Sequence, residues 1–156
     1  MPIVWTEDLN IGVELIDNQH RKIVDYINAL EGAIGEPDRE QSRLSVGQVI
    51  ADLIDYTRSH FAFEESLLEG SGYKFSDLHK GVHEVFVTRI TKLQERHEAG
   101  VDVAERLHNM LGTWLLHHIK QDDMAYVPDV KASLRDIAQG RRNGDWLNQS
   151  LEKLLA

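Results

Sequence analysis

Residues 42–69, SRLSVGQVIADLIDYTRSHFAFEESLLE, decide the expected fold of this 156-residue chain. Their apolar side chains recur every three or four residues, the spacing that places them on one face of an α-helix. These side chains are Val46, Val49, Ile50, Leu53, Ile54 and Phe61. Gly70 and Gly72 follow the run and predict its end. The stretch therefore predicts a long amphipathic helix, which must bury its apolar face against other elements.

Three further stretches show the same periodicity and are joined by short connections. They are residues 15–34, 76–99 and 103–126, the second beginning at Ser76 as its N-cap and the last ending before Pro128. Long helices with short connections pack as antiparallel neighbours. The predicted fold is all-α: an antiparallel, up-down-up-down four-helix bundle over residues 1–128, with an N-terminal arm over residues 2–12 and a helical C-terminal extension over residues 129–156.

Composition limits the classes of partner. The chain has a formal net charge of −9 and no cysteine. The negative charge disfavours nucleic acid and anionic membranes, and the lack of cysteine excludes disulfides and thiolate metal sites. The N-terminus lacks the pattern of a signal peptide, and we expect a cytoplasmic protein.

Histidine is the unusual component, with eight residues in the chain. His60 and Glu64 are four residues apart on the second helix, and His79 and His83 are four apart on the third, so each pair shares a helical face. His20 lies on the apolar stripe of the first helix. His118 lies on the fourth helix, where the neighbouring residues are apolar and two aspartates follow. Each helix thus directs at least one histidine toward the bundle axis.

A single buried histidine is usually an ordinary core residue, but four helices directing such groups into one dry core would carry a large desolvation cost. A shared metal removes that cost. Imidazole and carboxylate donors suit iron, zinc, copper or manganese. Their number exceeds what one tetrahedral zinc ion binds, whereas two ions that share carboxylate bridges would use them all.

These segments resemble the bacterial haemerythrins over about residues 3–127. The matching stretches are IDNQH at 16–20, HFAFEE at 60–65, Gly72-Tyr73 leading to His79 and His83, and WLLHHI at 114–119 with Asp123 and Tyr126. The resemblance implies two iron ions with an oxo or hydroxo bridge, and dioxygen as the ligand. It implies the following ligand set: His79, His83 and His118 on one iron, His20 and His60 on the other, and Glu64 and Asp123 bridging both.

Two neighbouring pairs on the fourth helix require a choice. His117 and Asp122 have the same spacing as His118 and Asp123. In the family the ligand histidine directly precedes isoleucine, and the bridging aspartate follows it by five residues. Ile119 follows His118, so the resemblance favours His118 and Asp123. Glu65, beside a ligand, is either a surface charge or a partner of a ligand.

The resemblance and the predominance of neutral imidazole ligands favour reversible oxygen binding, for storage, delivery or supply, over enzymatic oxidation. An apolar pocket formed by Phe61, Trp114, Leu115 and Ile119 is expected beside the open iron, where it would exclude water. The alternatives are a di-iron oxidase or peroxidase, an oxygen sensor, and a protein that handles iron or nitric oxide.

The C-terminal extension carries an apolar stripe formed by Leu147, Leu151 and Leu154, widened by Trp146 and Leu155. A helix of this length is marginal in water by itself, so it should dock. Docking on its own bundle would leave a monomer, and docking on a second copy would give a dimer. We expect docking on the same chain.

Overall fold

The computed structural model describes the backbone of residues 2–155 and the side chains of residues 2–152. Within these residues, a short 3-10 helix, Glu7–Leu9, precedes six α-helices: α1 Glu14–Ile34, α2 Arg39–Gly70, α3 Ser76–Glu98, α4 Ala104–His117, α5 Met124–Ala138 and α6 Asp145–Leu155. Helices α1 to α4 form the predicted antiparallel bundle. Helix α5 continues α4, and the two together are called the fourth rod of the bundle. No helix in this part of the chain is long and apolar enough to cross a membrane.

The periodic apolar positions form the bundle core. Ile27, Leu30, Ile50, Leu53 and Leu107 are completely or almost completely buried, as the helical spacing predicts. Two helix starts differ from the prediction. Helix α2 begins three residues before Ser42, where the Asp38 carboxylate caps it by accepting the N–H of Gln41 at 2.9 Å. Ser76 is the first residue of α3 rather than its N-cap.

The fourth rod does not end before Pro128, so that part of the prediction was wrong. A wide π-helical turn, His118–Asp123, joins α4 directly to α5, which contains Pro128 and continues to Ala138. Proline removes one backbone hydrogen bond, but Tyr126 and Val130 on either side of it are completely buried. The free energy gained by burying these two side chains outweighs the cost of the missing backbone hydrogen bond. The helix is therefore continuous across position 128, and a division of the chain there remains a prediction.

The N-terminal arm is tied to α1. The Asn28 side chain accepts the N–H of Ile3 at 2.8 Å and donates to the carbonyl of the same residue at 2.9 Å. The buried Asp17 carboxylate accepts the N–H groups of Ile11 and Gly12 at 2.8 and 3.2 Å. The arm therefore covers one side of the first helix before the chain enters the bundle.

The extension docks on its own chain, as expected. Helix α6 lies along α2, where the hydroxyls of Ser66 and the completely buried Ser150 are 2.6 Å apart. Trp146 lies directly against the backbone of Gly70. Leu147 and Leu151 pack on the core. The predicted contributions of Leu154 and Leu155 lie outside the described side chains.

The loop before α6 is held by one arginine. The Arg142 guanidinium donates to the Ser133 hydroxyl at 2.8 Å and to the carbonyl of Gly70, and it lies 4.8 Å from the centre of the Trp146 ring. These contacts join the end of α2, the middle of α5 and the start of α6. The docking of α6 therefore rests on polar as well as apolar contacts.

Candidate metal centre

The seven predicted ligand residues come together in the middle of the bundle. Their donor atoms form two adjoining groups. One group contains Glu64, His79, His83, His118 and Asp123, and the other contains His20, His60 and Glu64. Within each group the atoms lie within 4.8 Å of one another, and every side chain is buried. Each of the four helical rods contributes at least one donor.

Glu64 faces both groups with different oxygen atoms. Its Oε1 lies 2.5 Å from Nε2 of His79 and 3.2 Å from Nε2 of His83. Its Oε2 lies 3.2 Å from Nε2 of His60 and 3.9 Å from Nε2 of His20. One carboxylate thus divides its oxygens between a group of three histidines and a group of two.

Asp123 is divided in the same way. Its Oδ1 lies 3.1 Å from Nε2 of His118 and 3.2 Å from Nε2 of His79, while its Oδ2 lies 3.1 Å from Nε2 of His20. Two carboxylates that each point one oxygen at either group have the geometry of bridging ligands between two adjacent ions. The arrangement has three histidines on one side and two on the other.

The π-helical turn explains how His118 and Asp123 reach the same site. In a regular α-helix, residues five apart point about 140° away from each other. The turn widens the helix, so that the N–H of Met124 donates to the carbonyl of Ile119, five residues earlier. This wider turn brings Asp123 onto the side of the helix that carries His118. Single π turns of this kind are frequent at functional sites.

Three polar side chains hold the far nitrogen atoms of the histidine rings. Nδ1 of His60 lies 2.5 Å from Oε1 of Gln19, Nδ1 of His83 lies 3.1 Å from Oε2 of Glu65, and Nδ1 of His118 lies 2.8 Å from Oδ2 of Asp122. The acceptors place the ring proton on Nδ1 and leave Nε2 free to bind a metal. Asp122 therefore contacts a predicted ligand, and Glu65 is more than a surface charge.

The buried carboxylates of Glu64 and Asp123 are stabilised by positive charge close to them. Burial raises the pKa of Glu64, but the adjacent imidazole rings of His60, His79 and His83 outweigh it and hold the pKa well below its usual value. Burial lowers the pKa of His79, yet the Asp123 and Glu64 carboxylates outweigh it and raise that pKa to about 10. The two carboxylates are thus held ionised in a dry core. When the histidines are neutral, bound metal cations would balance the charge of these carboxylates instead.

The donor set also fits metal ions because several polar atoms find no hydrogen-bond partner within the described part of the chain. They include both ring nitrogens of His20, Oε2 of Glu64 and both carboxylate oxygens of Asp123. Unpaired polar atoms in a protein core cost about 1–3 kcal/mol each. A pair of ions between the two groups would use all of these except Nδ1 of His20.

A small cavity of about 10 Å³ lies beside His20 and His60. The volume is close to the smallest that holds one water molecule. Its other lining residues are Ile23, Ile27, Thr57, Phe61, Phe86, Leu111, Trp114, Leu115 and His118. Three of the four predicted pocket residues line it. Ile119 is completely buried but does not line this cavity.

Aromatic rings hold two of the histidines from the outside. Phe61 stacks on His83 with ring centres 3.7 Å apart, and Trp114 stacks on His118 at 4.4 Å. Phe86 stacks in turn on Trp114 at 3.9 Å. These contacts fix the ring planes and exclude water from the same side of the cluster.

The remaining histidines lie away from the cluster. Nε2 of His97 donates to the carbonyl of Arg43 at 3.1 Å, His108 lies 4.0 Å from Glu31, and His117 is exposed. Gln19 was missed by sequence reasoning, although it directly precedes His20. Its partner His60 lies on another helix, so only the packing of α1 against α2 reveals the contact.

These features define a class: a four-helix bundle whose core carries a buried histidine and carboxylate cluster suited to metal ions. The family model of the hemerythrin HHE cation binding domain matches residues 11–130. The chain therefore belongs to the haemerythrin family, as the sequence motifs indicated.

Individual relatives agree with this assignment. The chain is 45% identical over 151 residues to a bacteriohemerythrin from Stenotrophomonas maltophilia (strain R551-3), covering 97% of this chain and 96% of that protein. It is 42% identical, with the same coverage, to a bacteriohemerythrin from Pseudomonas paraeruginosa (strain DSM 24068 / PA7). A crystal structure of wild-type hemerythrin superposes with a TM-score of 0.77 at 29% identity, covering 83% of this chain and 98% of that one.

Proposed function

We propose that this chain is an oxygen-binding protein that takes up and releases dioxygen reversibly at a centre of two iron ions. The observation that carries the proposal is the asymmetry of the cluster. Glu64 and Asp123 each direct one oxygen at two members of the three-histidine group and the other oxygen at the two-histidine side. Both histidines of the two-histidine side line the small cavity, together with only His118 of the other side, so an ion with fewer protein ligands would keep a position open toward it.

In this proposal His79, His83 and His118 hold one ion, and His20 and His60 hold the other. Glu64 and Asp123 would each offer one oxygen to either ion, and an oxo or hydroxo group would complete the bridge. When bound, an iron pair would supply the electrons that reversible dioxygen binding requires. The protein contributes the ligands, their orientation and the exclusion of water.

Exclusion of water supports carriage rather than oxidation. The cavity wall is formed mainly by aliphatic and aromatic side chains, and burial of this kind withholds the protons that would drive the bound oxygen toward reduced products. Glu65 and Asp122 are engaged with ring nitrogens of His83 and His118. The site therefore suits a carrier, for storage, delivery or supply, rather than an enzyme.

The proposal assigns residues 1–128 to the centre and residues 129–156 to a covering role. Helix α6 packs on α2, the helix that carries His60 and Glu64. No ligand of the centre comes from the extension among the described residues. Removal of α6 should therefore affect stability more than metal content.

Visible spectroscopy tests the function directly. The iron-loaded protein is reduced without air, exposed to oxygen and then flushed with argon. We expect an absorption band that appears with oxygen and disappears when oxygen is removed. Continuous consumption of a reductant, with no band that returns, would show an oxidase instead.

Two adjacent histidines provide a matched control. His118→Ala removes a ligand from the cluster, whereas His117→Ala changes an exposed side chain one residue earlier on the same rod. The first variant should lose the oxygen-dependent band, and the second should keep it. Equal spectra for the two variants would refute the placement of the centre.

A further inference from the structure

Thr57 is a buried polar residue that the ligand set does not include. It lies on α2 and lines the small cavity beside His20 and His60. Only 3% of its surface is exposed, and its hydroxyl has no hydrogen-bond partner in the described part of the chain. An unpaired hydroxyl in an apolar wall is destabilising unless something bound in the cavity pairs with it.

Other threonines of this protein show that the helix itself offers a partner. Thr88 and Thr91 on α3 donate to backbone carbonyls four residues earlier, those of Glu84 and Val87, at 2.9 and 2.7 Å. This bond is the common solution for threonine inside a helix. Thr57 does not make it. Its hydroxyl therefore remains available to the cavity.

The position of Thr57 suits contact with a ligand. It precedes His60 by three residues, which places it about 4.5 Å away along the helix axis and on the same side of the helix. Thr57 carries the only hydroxyl among the described residues that line the cavity, and apart from the histidines the lining is largely aliphatic and aromatic. A ligand between His20, His60 and this wall has one hydroxyl donor available to it.

We propose that Thr57 is a specificity-determining residue whose hydroxyl donates a hydrogen bond to a small ligand held in the cavity beside His20 and His60. The proposal rests on the oxygen-binding function proposed above. Dioxygen and azide both present a terminal atom with lone pairs and fit this description. Thr57 strengthens the binding of such ligands and slows their release.

Thr57→Val tests the hydroxyl, because valine has nearly the same shape and replaces the hydroxyl with a methyl group. The dissociation constant of azide from the oxidised, iron-loaded protein should rise about tenfold, or about 1.4 kcal/mol, the scale of one hydrogen bond. The rate of oxygen release from the oxygenated protein should rise by a similar factor. Thr57→Ser keeps the hydroxyl and should retain azide affinity near that of the parent.

The iron-free protein supplies a second measurement. Because the Thr57 hydroxyl has no protein partner, Thr57→Val should leave the melting temperature of the iron-free protein unchanged or raise it. Thr91→Val is the matched control, since it removes a hydroxyl that donates to the carbonyl of Val87. That variant should lower the melting temperature and leave azide affinity unchanged.

Two results would overturn the proposal. Azide affinity and oxygen release in Thr57→Val that equal those of the parent would show that the hydroxyl does not contact the ligand. A fall in melting temperature as large as that of Thr91→Val would show that the protein itself pairs with the hydroxyl. If the parent gives no oxygenated spectrum, the proposed function fails separately, and the azide measurement still tests Thr57.

Discussion

The contact between Gly70 and Trp146 makes a sharp prediction about how the C-terminal helix is held. A Cβ atom added at Gly70 would lie 2.1 Å from Cε3 of the Trp146 ring, where ordinary contacts begin at 3.4 Å. Gly70→Ala therefore forces the ring, and α6 with it, away from α2. Gly32 is the matched control, because it also lies in the last turn of a helix and a Cβ there meets nothing within 4 Å.

The two substitutions should change stability in opposite directions. Gly32→Ala should raise the free energy of unfolding by up to about 1 kcal/mol, because alanine loses less backbone entropy in a helix than glycine. Gly70→Ala carries the same benefit but should lower the free energy of unfolding by about 1–3 kcal/mol, the usual cost of forcing a methyl group into a packed contact. The difference between the two variants isolates the clash with α6.

A double-mutant cycle identifies Trp146 as the source of the cost. Trp146→Ala alone should destabilise the protein by about 2–3 kcal/mol, somewhat less than a fully buried tryptophan, because its ring is only half-buried. In that background Gly70→Ala should be neutral or stabilising, which gives a coupling energy of about 1–3 kcal/mol.

Urea denaturation of the iron-free proteins, followed by circular dichroism, measures these values without a contribution from metal release. Additive effects of Gly70→Ala and Trp146→Ala would contradict the reasoning. So would a Gly70→Ala variant as stable as Gly32→Ala, because it would mean that α6 does not rest on this glycine.

The other predictions concern the centre and the extension. Leu115→Ala should enlarge the cavity and speed oxidation of the oxygenated protein, measured as decay of its visible band; a parental decay rate would show that Leu115 does not exclude water. Asp123→Ala should abolish iron binding, while Asp122→Ala should only weaken it, because Asp122 contacts His118 rather than the ions; elemental analysis with the reverse order would refute the register. Truncation after Gly140 should keep iron content but lower the melting temperature by several degrees, with both forms monomeric by light scattering.

Periodicity was sufficient to predict the bundle, because the apolar stripes of α1 to α4 determine which faces meet. It failed at Pro128, where the expected helix end depends on a local rule. Burial of Tyr126 and Val130 outweighs that rule, and a single sequence does not show which side chains a rod will bury.

The sequence predicted some residues of the site more directly than others. The four-residue spacings of His60 with Glu64 and of His79 with His83 point to shared faces directly. The five-residue gap between His118 and Asp123 implies a widened turn, which no apolar periodicity shows. Thr57 lies on the same stripe as His60 and Glu64, so the spacing of α2 contained a signal for it. Its lack of a partner appears only in the packed structure.

The ratio of oxygen released to iron bound tests the central claim most directly. The oxygenated protein is placed under argon, the released dioxygen is measured with an electrode, and iron is measured in the same sample. A two-metal site that binds one ligand predicts about one dioxygen for every two iron atoms, recovered over repeated cycles. Release of no dioxygen, or of one for each iron atom, would contradict a reversible two-iron centre.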